Sequence, residues 1–307
     1  MPRLVRRALV FVAATTVALY ATGAALLWHF PDRFVGFPEA EVRQTPGMKG
    51  LRYFDFWLRA GPRRELVHGW FLPNERHAPV VLLLHGTGRT IDGMVHVAAS
   101  LHEAGAAVVM IDYRGLGRSA RGFMTETTMY EDAEAAWHEL RWHQPDPSLR
   151  LIYGHSLGAV TALELAARYP DVNGVVVEAA PTSIADLLRE SWVARLYPVD
   201  LMLAGRFDAA AKVRRIAAPL LVIHGKRDNL VPSTMGVELY LRATGRKRLL
   251  LVEGATHSDA ATVGAREYLA ALERMLPAGR EPLLARRGEP ARQLASSPAG
   301  FVLPDRP

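Results

Sequence analysis

Short apolar runs that alternate with amphipathic stretches constrain this chain more than any other feature of its sequence. The runs are YFDFWL from Tyr53, ELVHGWF ending at Phe71, VVLLL from Val80, AAVVMID ending at Asp112, RLIYG ending at Gly154, GVVVEAA from Gly174, LLVIHG ending at Gly225 and RLLLVEG ending at Gly254. The middle ones are apolar on both faces, as a parallel strand covered by helices on each side requires. Between them MVHVAASLHEAG, YEDAEAAWHELRWH, LGAVTALELAARYP and TVGAREYLAALERML carry helical spacing. This alternation predicts an α/β fold with a mostly parallel, doubly wound sheet of about eight strands. Such sheets take their ligands at the carboxyl ends of the strands, so chemistry is expected directly after each apolar run.

Three segments depart from the alternation. Residues 1–30 carry Arg3, Arg6 and Arg7 and then 21 uncharged residues from Ala8 to Trp28. As a helix that run would be about 30 Å long, the thickness of a hydrocarbon core. It exceeds the apolar stretch of a secretory signal, roughly 7–15 residues, so an uncleaved N-terminal transmembrane anchor is expected, although Ala24 and Ala25 leave cleavage open. The arginines ahead of the span favour a cytoplasmic N-terminus and a catalytic domain on the extracytoplasmic side. Residues 181–215 are helix-prone where a single connection would suffice, and read as a small cap within a domain spanning 31–276. Residues 277–307 contain prolines and arginines without periodicity and are expected to be disordered.

The net charge of +6 suggests nucleic acid until it is located. The N-terminal arginines and the tail supply nearly all of it, so no basic face for a phosphate backbone is indicated. The chain has no cysteine, which removes disulfides, thiolate nucleophiles and cysteine-ligated zinc together.

Four strand ends carry chemistry. YGHSLGAV places Ser156 in a G-x-S-x-G frame, where small flanking residues let a strand turn sharply into a helix and hold the hydroxyl out on a strained corner. LLVIHG is followed by Asp228, RLLLVEG by His257, and VVLLL by His85-Gly86-Thr87-Gly88. A serine hydroxyl is a poor nucleophile near neutral pH and needs an imidazole to take its proton. The imidazole needs a carboxylate to fix its tautomer, and the oxyanion formed on attack needs amide donors already in place. Ser156, Asp228 and His257 fill the first three roles in the order serine, acid, histidine, and the N–H groups of Thr87 and Leu157 are candidates for the last. Glu178 also follows a strand and competes with Asp228 for the acid. Asp259 could orient the histidine loop, and His85 and His155 read as structural, since one imidazole suffices.

Two other patterns fail on inspection. DYRGLGRSA matches a dinucleotide fingerprint through Gly115, Gly117 and Ala120, but RGFMTETTMYED, which follows, is polar and loop-like where that fingerprint needs an apolar helix. In WHELRWH, His138 and His143 are five apart, which sends them to different faces of a helix rather than to one zinc ion. No cofactor and no metal is expected.

Taken together, HGTGRT, DYRGLGRS, YGHSLGA, APTSIADL, HGKRDNLVP and GATHSD resemble the signature blocks of the membrane-anchored α/β-hydrolase-domain proteins, the bud-emergence-type hydrolases akin to lysophospholipid and acylglycerol lipases and esterases. The resemblance runs from about Phe34 to Leu276. It implies the α/β-hydrolase fold, Ser156 as nucleophile, Asp228 as acid, His257 as base, Thr87 and Leu157 as oxyanion hole, and an N-terminal anchor. Ser258 stands where asparagine is frequent in that family. The expected activity is cleavage of carboxylic esters, including lipid-like acyl esters, through an acyl-enzyme. An acyl peptidase or thioesterase would use the same triad, and a non-catalytic, membrane-tethered binding protein is the alternative outside enzymes. The cap offers Trp192, Leu196, Tyr197, Leu201, Met202 and Phe207 as apolar lining, and its cations Arg189, Arg195, Arg206, Lys212, Arg214 and Arg215 outnumber its acids, which would suit an acyl chain with an anionic head. Oligomeric state is open at this level.

Overall fold

The computed structural model describes residues 3–29, 41–75, 77–189, 196–203, 205–277 and 301–302. Trp192 and Arg195 of the expected cap lie outside them, as does the expected disordered tail apart from Pro277, Phe301 and Val302. Each apolar run forms a strand: β1 (Phe54–Ala60), β2 (Glu65–Leu72), β3 (Val80–Leu84), β4 (Ala107–Ile111), β5 (Arg150–His155), β6 (Gly174–Glu178), β7 (Leu220–Gly225) and β8 (Lys247–Val252). A ninth, β9 (Phe301–Val302), pairs in parallel with β1. The sheet order is β8-β7-β6-β5-β3-β4-β2-β1-β9. From β3 through β8 every pairing is parallel, and β2 is antiparallel to both β1 and β4.

The runs are strands because β-branched and leucine side chains pack on both faces of a pleated surface. All five residues of β3, β4 and β6 are buried. Alternate residues feed two cores. Leu82, Val109 and Val177 face one that includes Met129 and Trp137 of α3 (Glu126–His143), Val160 and Leu163 of α4 (Leu157–Arg168) and Leu239. Leu83, Val108 and Val176 face the other, with Val95 and Leu101 of α2 (Val95–Glu103) and Tyr268 and Leu272 of α10 (Ala265–Met275). The chain winds outward from β3 to β4, then crosses back to β5 and continues through β8. The reversal lies between β3 and β5, and such a point opens a crevice at the strand ends.

Two helices differ from the periodicity reading. Helix α3 begins at Glu126, inside the stretch read as loop, because Thr125 caps it: its Oγ accepts from the N–H of Thr128 at 3.1 Å, and the Thr128 hydroxyl bonds back to the N–H of Thr125 at 2.8 Å. Helix α8 (Ser233–Arg242) joins β7 to β8, its Met235 and Leu239 buried one turn apart. Among its described residues, the connection after β6 carries three short helices, α5 (Ile184–Arg189), α6 (Val199–Met202) and α7 (Ala209–Val213). A four-residue helix, α9 (Ala260–Val263), precedes α10. Helix α1 (Arg3–His29) contributes to neither core, and its segment Arg3–Leu26 is long and apolar enough to cross a membrane.

Candidate active site

Between β5 and α4 the chain turns on Ser156 alone, at φ 54° and ψ −125°. A non-glycine residue in such a conformation costs about 1–3 kcal/mol and persists only where its surroundings hold it there. Here the N–H of Ser156 donates to the carbonyl of Glu178 at 2.8 Å, pinning the corner to the end of β6, and its carbonyl accepts from the N–H of Ala159 at 3.0 Å. The flanking glycines are required by contact: a Cβ on Gly158 would strike the carbonyl oxygens of Leu84 and His85, and one on Gly154 would strike the first turn of α4. Gly86 allows the same approach from β3, since a Cβ there would lie 2.8 Å from that of Ser156.

Asp228 sits in the turn after β7. Its Oδ1 accepts from the N–H groups of Leu230 and Val231, both at 2.9 Å, and its Oδ2 accepts from His257 Nδ1 at 2.8 Å. His224 Nε2 lies 3.3 Å from the same Oδ2 and 2.9 Å from the Val231 carbonyl. Burial works to raise the Asp228 pKa, but bonds from His224, His257 and the Val231 amide outweigh it and hold the carboxyl well below the usual range. With Nδ1 donating to Asp228, the other nitrogen of His257 presents its lone pair to Ser156 Oγ at 3.2 Å. The His257 loop is fixed from two sides. Asp259 Oδ1 accepts from the N–H of Thr256 at 2.6 Å, and His155 Nε2 donates to the His257 carbonyl at 2.8 Å. Burial pushes the His155 pKa down to about 3, leaving it a neutral donor to that loop.

Glu178 occupies a different place. Its Oε2 accepts from the hydroxyls of Tyr153 and, at 3.1 Å, Tyr268, and burial raises its pKa. Of the two carboxylates weighed in the sequence, Asp228 is the one hydrogen-bonded to the His257 imidazole. Sequence reasoning missed the second imidazole on Asp228, although His224 and Asp228 stand four apart in HGKRD. It also missed the Tyr153–Glu178–Tyr268 cluster, whose members lie far apart in the chain and give no local signal.

Thr87 and Leu157 line the same cavity as Ser156 and His257, a space of about 470 Å³. Its apolar wall comes from Ile184, Leu187 and Leu188 of α5, with Met94 and Leu230. None of the described residues expected to line the cavity from the cap does so: α5 supplies the apolar wall, whereas Phe207 is buried in the core, Tyr197 and Met202 pack against it, and Leu196 and Leu201 are exposed. Two of the expected cap cations are committed elsewhere. Arg189 pairs with Asp186 and Asp200, and Lys212 lies 3.6 Å from Glu126 and 3.5 Å from Glu164. Among the described lining residues Arg89 is the one arginine or lysine. In the DYRGLGRS block, Arg114 Nε donates to Asp132 at 2.6 Å while its terminal nitrogens reach Glu65 and Glu131, at 2.7 and 2.6 Å. Asp112 Oδ1 accepts from the N–H of Ile91 at 2.7 Å, bracing the loop behind Thr87.

The chain is similar to known proteins. Residues 75–207 match the family described as serine aminopeptidase, S33. Uncharacterized protein Rv2307c of Mycobacterium tuberculosis is 30% identical over 285 residues, 88% of this chain and 95% of that protein. Human alpha/beta hydrolase domain-containing protein 17B is 33% identical over 166 residues, 54% of each chain. Among solved structures, the Pyrococcus furiosus esterase Pf2001 superposes with a TM-score of 0.66 at 21% identity, covering 79% of this chain and 98% of its own, a likeness of fold.

Proposed function

The chain belongs to the α/β-hydrolase family, and from that premise we propose that it is a serine hydrolase that cleaves carboxylic esters through an acyl-enzyme on Ser156. The observation that carries this reading is the continuous line Ser156 Oγ, His257 Nε2, His257 Nδ1, Asp228 Oδ2, with separations of 3.2 and 2.8 Å. Ser156 Oγ attacks the ester carbonyl carbon while its proton passes to His257 Nε2. The oxyanion is held by the N–H groups of Thr87 and Leu157, the latter at the positive end of α4. Collapse breaks the C–O bond, and the leaving alcohol takes the proton from His257. Water then attacks the acyl-serine with His257 again as base, releasing the carboxylic acid and restoring Ser156. Asp228, below its usual pKa, stays ionised throughout and stabilises the imidazolium.

The apolar α5 wall favours an acyl chain over a charged group on that side of the cavity. Helix α1 serves as a membrane anchor, and the arginines preceding it favour the hydrolase domain on the extracytoplasmic side. A peptidase reading has one specific support, the description of the matched family as an aminopeptidase; parallel assays on ester and amide substrates with the same acyl group separate the two.

The test is labelling with a fluorophosphonate, which phosphonylates an activated serine. Wild-type protein is expected to be labelled and Ser156→Ala to be silent. Equal labelling of both would remove Ser156 from the chemistry.

A further inference from the structure

The cap touches helix α1, and it does so inside the apolar span. Tyr197 lies parallel to Tyr20 with ring centroids 5.0 Å apart and an interplanar angle of 14°. The same ring covers Gly23, one turn further along the same face of α1, where a Cβ would strike the Tyr197 hydroxyl. The apolar span runs to Leu26. At 1.5 Å per residue, Gly23 and Tyr20 are about 4.5 and 9 Å short of that end, measured along the helix axis. A ring packed on those two residues is therefore below the end of the span, not beside the loop that follows it. That depth matches the roughly 5–10 Å to which interfacial helices bury their apolar faces.

The residues around Tyr197 are built for that position. In α6, Val199 is buried, as is Leu203 just beyond its end, so the inward side of this turn is occupied. Leu196 and Leu201 point outward and are 54% and 69% exposed. Two exposed leucines in the same short segment as a tyrosine stacked on an apolar span are apolar surface of the kind that marks a membrane contact. The one charged residue of 196–202, Asp200, pairs with Arg189 of α5.

We infer that the 196–202 segment of the cap docks into the interfacial layer of the bilayer that α1 spans, with Leu196 and Leu201 in contact with lipid. This rests on α1 as a membrane span. It gives the cap a function beyond roofing the site. Because α5, which walls the cavity, packs against α6 and is tied to it by the Arg189–Asp200 pair, a docked cap holds the apolar side of the cavity toward the membrane. Amphiphilic acyl esters resident in the bilayer then reach Ser156 without crossing bulk water.

The absence of cysteine allows single-cysteine spin labelling without background. Full-length Leu196→Cys, Leu201→Cys, Val12→Cys and Leu241→Cys would each carry a nitroxide in phosphatidylcholine–phosphatidylglycerol vesicles, with collision rates measured against oxygen, which partitions into lipid, and a water-soluble nickel chelate. Val12 reports the middle of α1, and Leu241, 67% exposed on α8, reports an exposed leucine of the hydrolase domain outside the 196–202 segment. Labels at 196 and 201 are expected to show an oxygen-to-nickel ratio at least threefold above that at 241 and to approach that at 12. If 196 and 201 match 241 while 12 reads as lipid, the cap does not dock and the inference falls with the anchor intact. Should 12 also read as water, the anchor itself fails, and the inference with it. Shielding of 196 and 201 from both reagents, with concentration-dependent line broadening, would assign the surface to a second copy of the chain and overturn the proposal. Fluorophosphonate labelling of Ser156 is independent of every outcome.

Discussion

Replacing Ser156 by glycine should stabilise the fold relative to replacing it by alanine, although both variants lose the nucleophile. Each removes the hydroxyl and its bond to His257, so that contribution cancels in the comparison. Alanine keeps a Cβ at φ 54° and ψ −125°, and with it a strain of about 1–3 kcal/mol. Glycine adopts this conformation freely but loses more chain entropy on folding, costing about 0.4–1 kcal/mol. It also gives up the small packing contribution of a Cβ that touches Gly86. The net advantage of glycine is about 1 kcal/mol, which for a domain of this size raises the Tm by roughly 2–4 °C. Thermal unfolding followed by circular dichroism, with both variants in the same detergent, measures the difference. An alanine variant as stable as the glycine variant, or more so, would refute the claim that the corner is held under strain.

Other outcomes follow from the same geometry. Asp228→Asn should lower kcat by roughly 10³–10⁴, by analogy with loss of tautomer control in other triads, while Glu178→Gln keeps kcat within about tenfold because the amide oxygen still accepts from the tyrosines; the reverse order would make Glu178 the acid. Gly158→Ala forces a methyl group onto the carbonyls of Leu84 and His85 and should destabilise by about 1–3 kcal/mol, read as a lower Tm; an unchanged Tm would contradict the close approach. His155 is held neutral down to about pH 3, so unfolding lets it take up a proton that the folded state refuses. Its contribution is fully present above about pH 6.5 and is lost as the pH falls toward 3, at up to about 1.4 kcal/mol per pH unit. Burial lowers the pKa values of His85 and His96 in the same sense. Unfolding free energy should fall between pH 6.5 and 4.5, less steeply in His155→Gln; a flat profile would contradict this.

Much of the fold was legible because its signals are local. A run such as VVLLL, short and apolar on both faces, reads as a strand covered on both sides, and every apolar run named from the sequence forms a strand. The corner at Ser156 was legible for a related reason, since glycine two residues before and after it reports a backbone approach that no side chain permits. What was illegible depends on distant contacts. The cap's outward and inward faces could not be told apart by hydrophobicity, so Phe207 and Leu201 read alike although one is buried in the core and the other is exposed. The start of α3 depends on a reciprocal bond between Thr125 and Thr128, where a polar stretch reads as loop. That His224 lies against Asp228 depends on how the turn after β7 folds back, and the pairing of Glu178 with two tyrosines depends on residues up to 115 positions apart.

The most direct measurement of the central claim is pre-steady-state hydrolysis of a p-nitrophenyl ester, with rapid acid quench and peptide mapping by mass spectrometry. A burst of about one p-nitrophenol per chain is expected, with the acyl group recovered on the peptide containing Ser156 and absent in Ser156→Ala. Turnover with the acyl group recovered on another residue, or undiminished in Ser156→Ala, would contradict it.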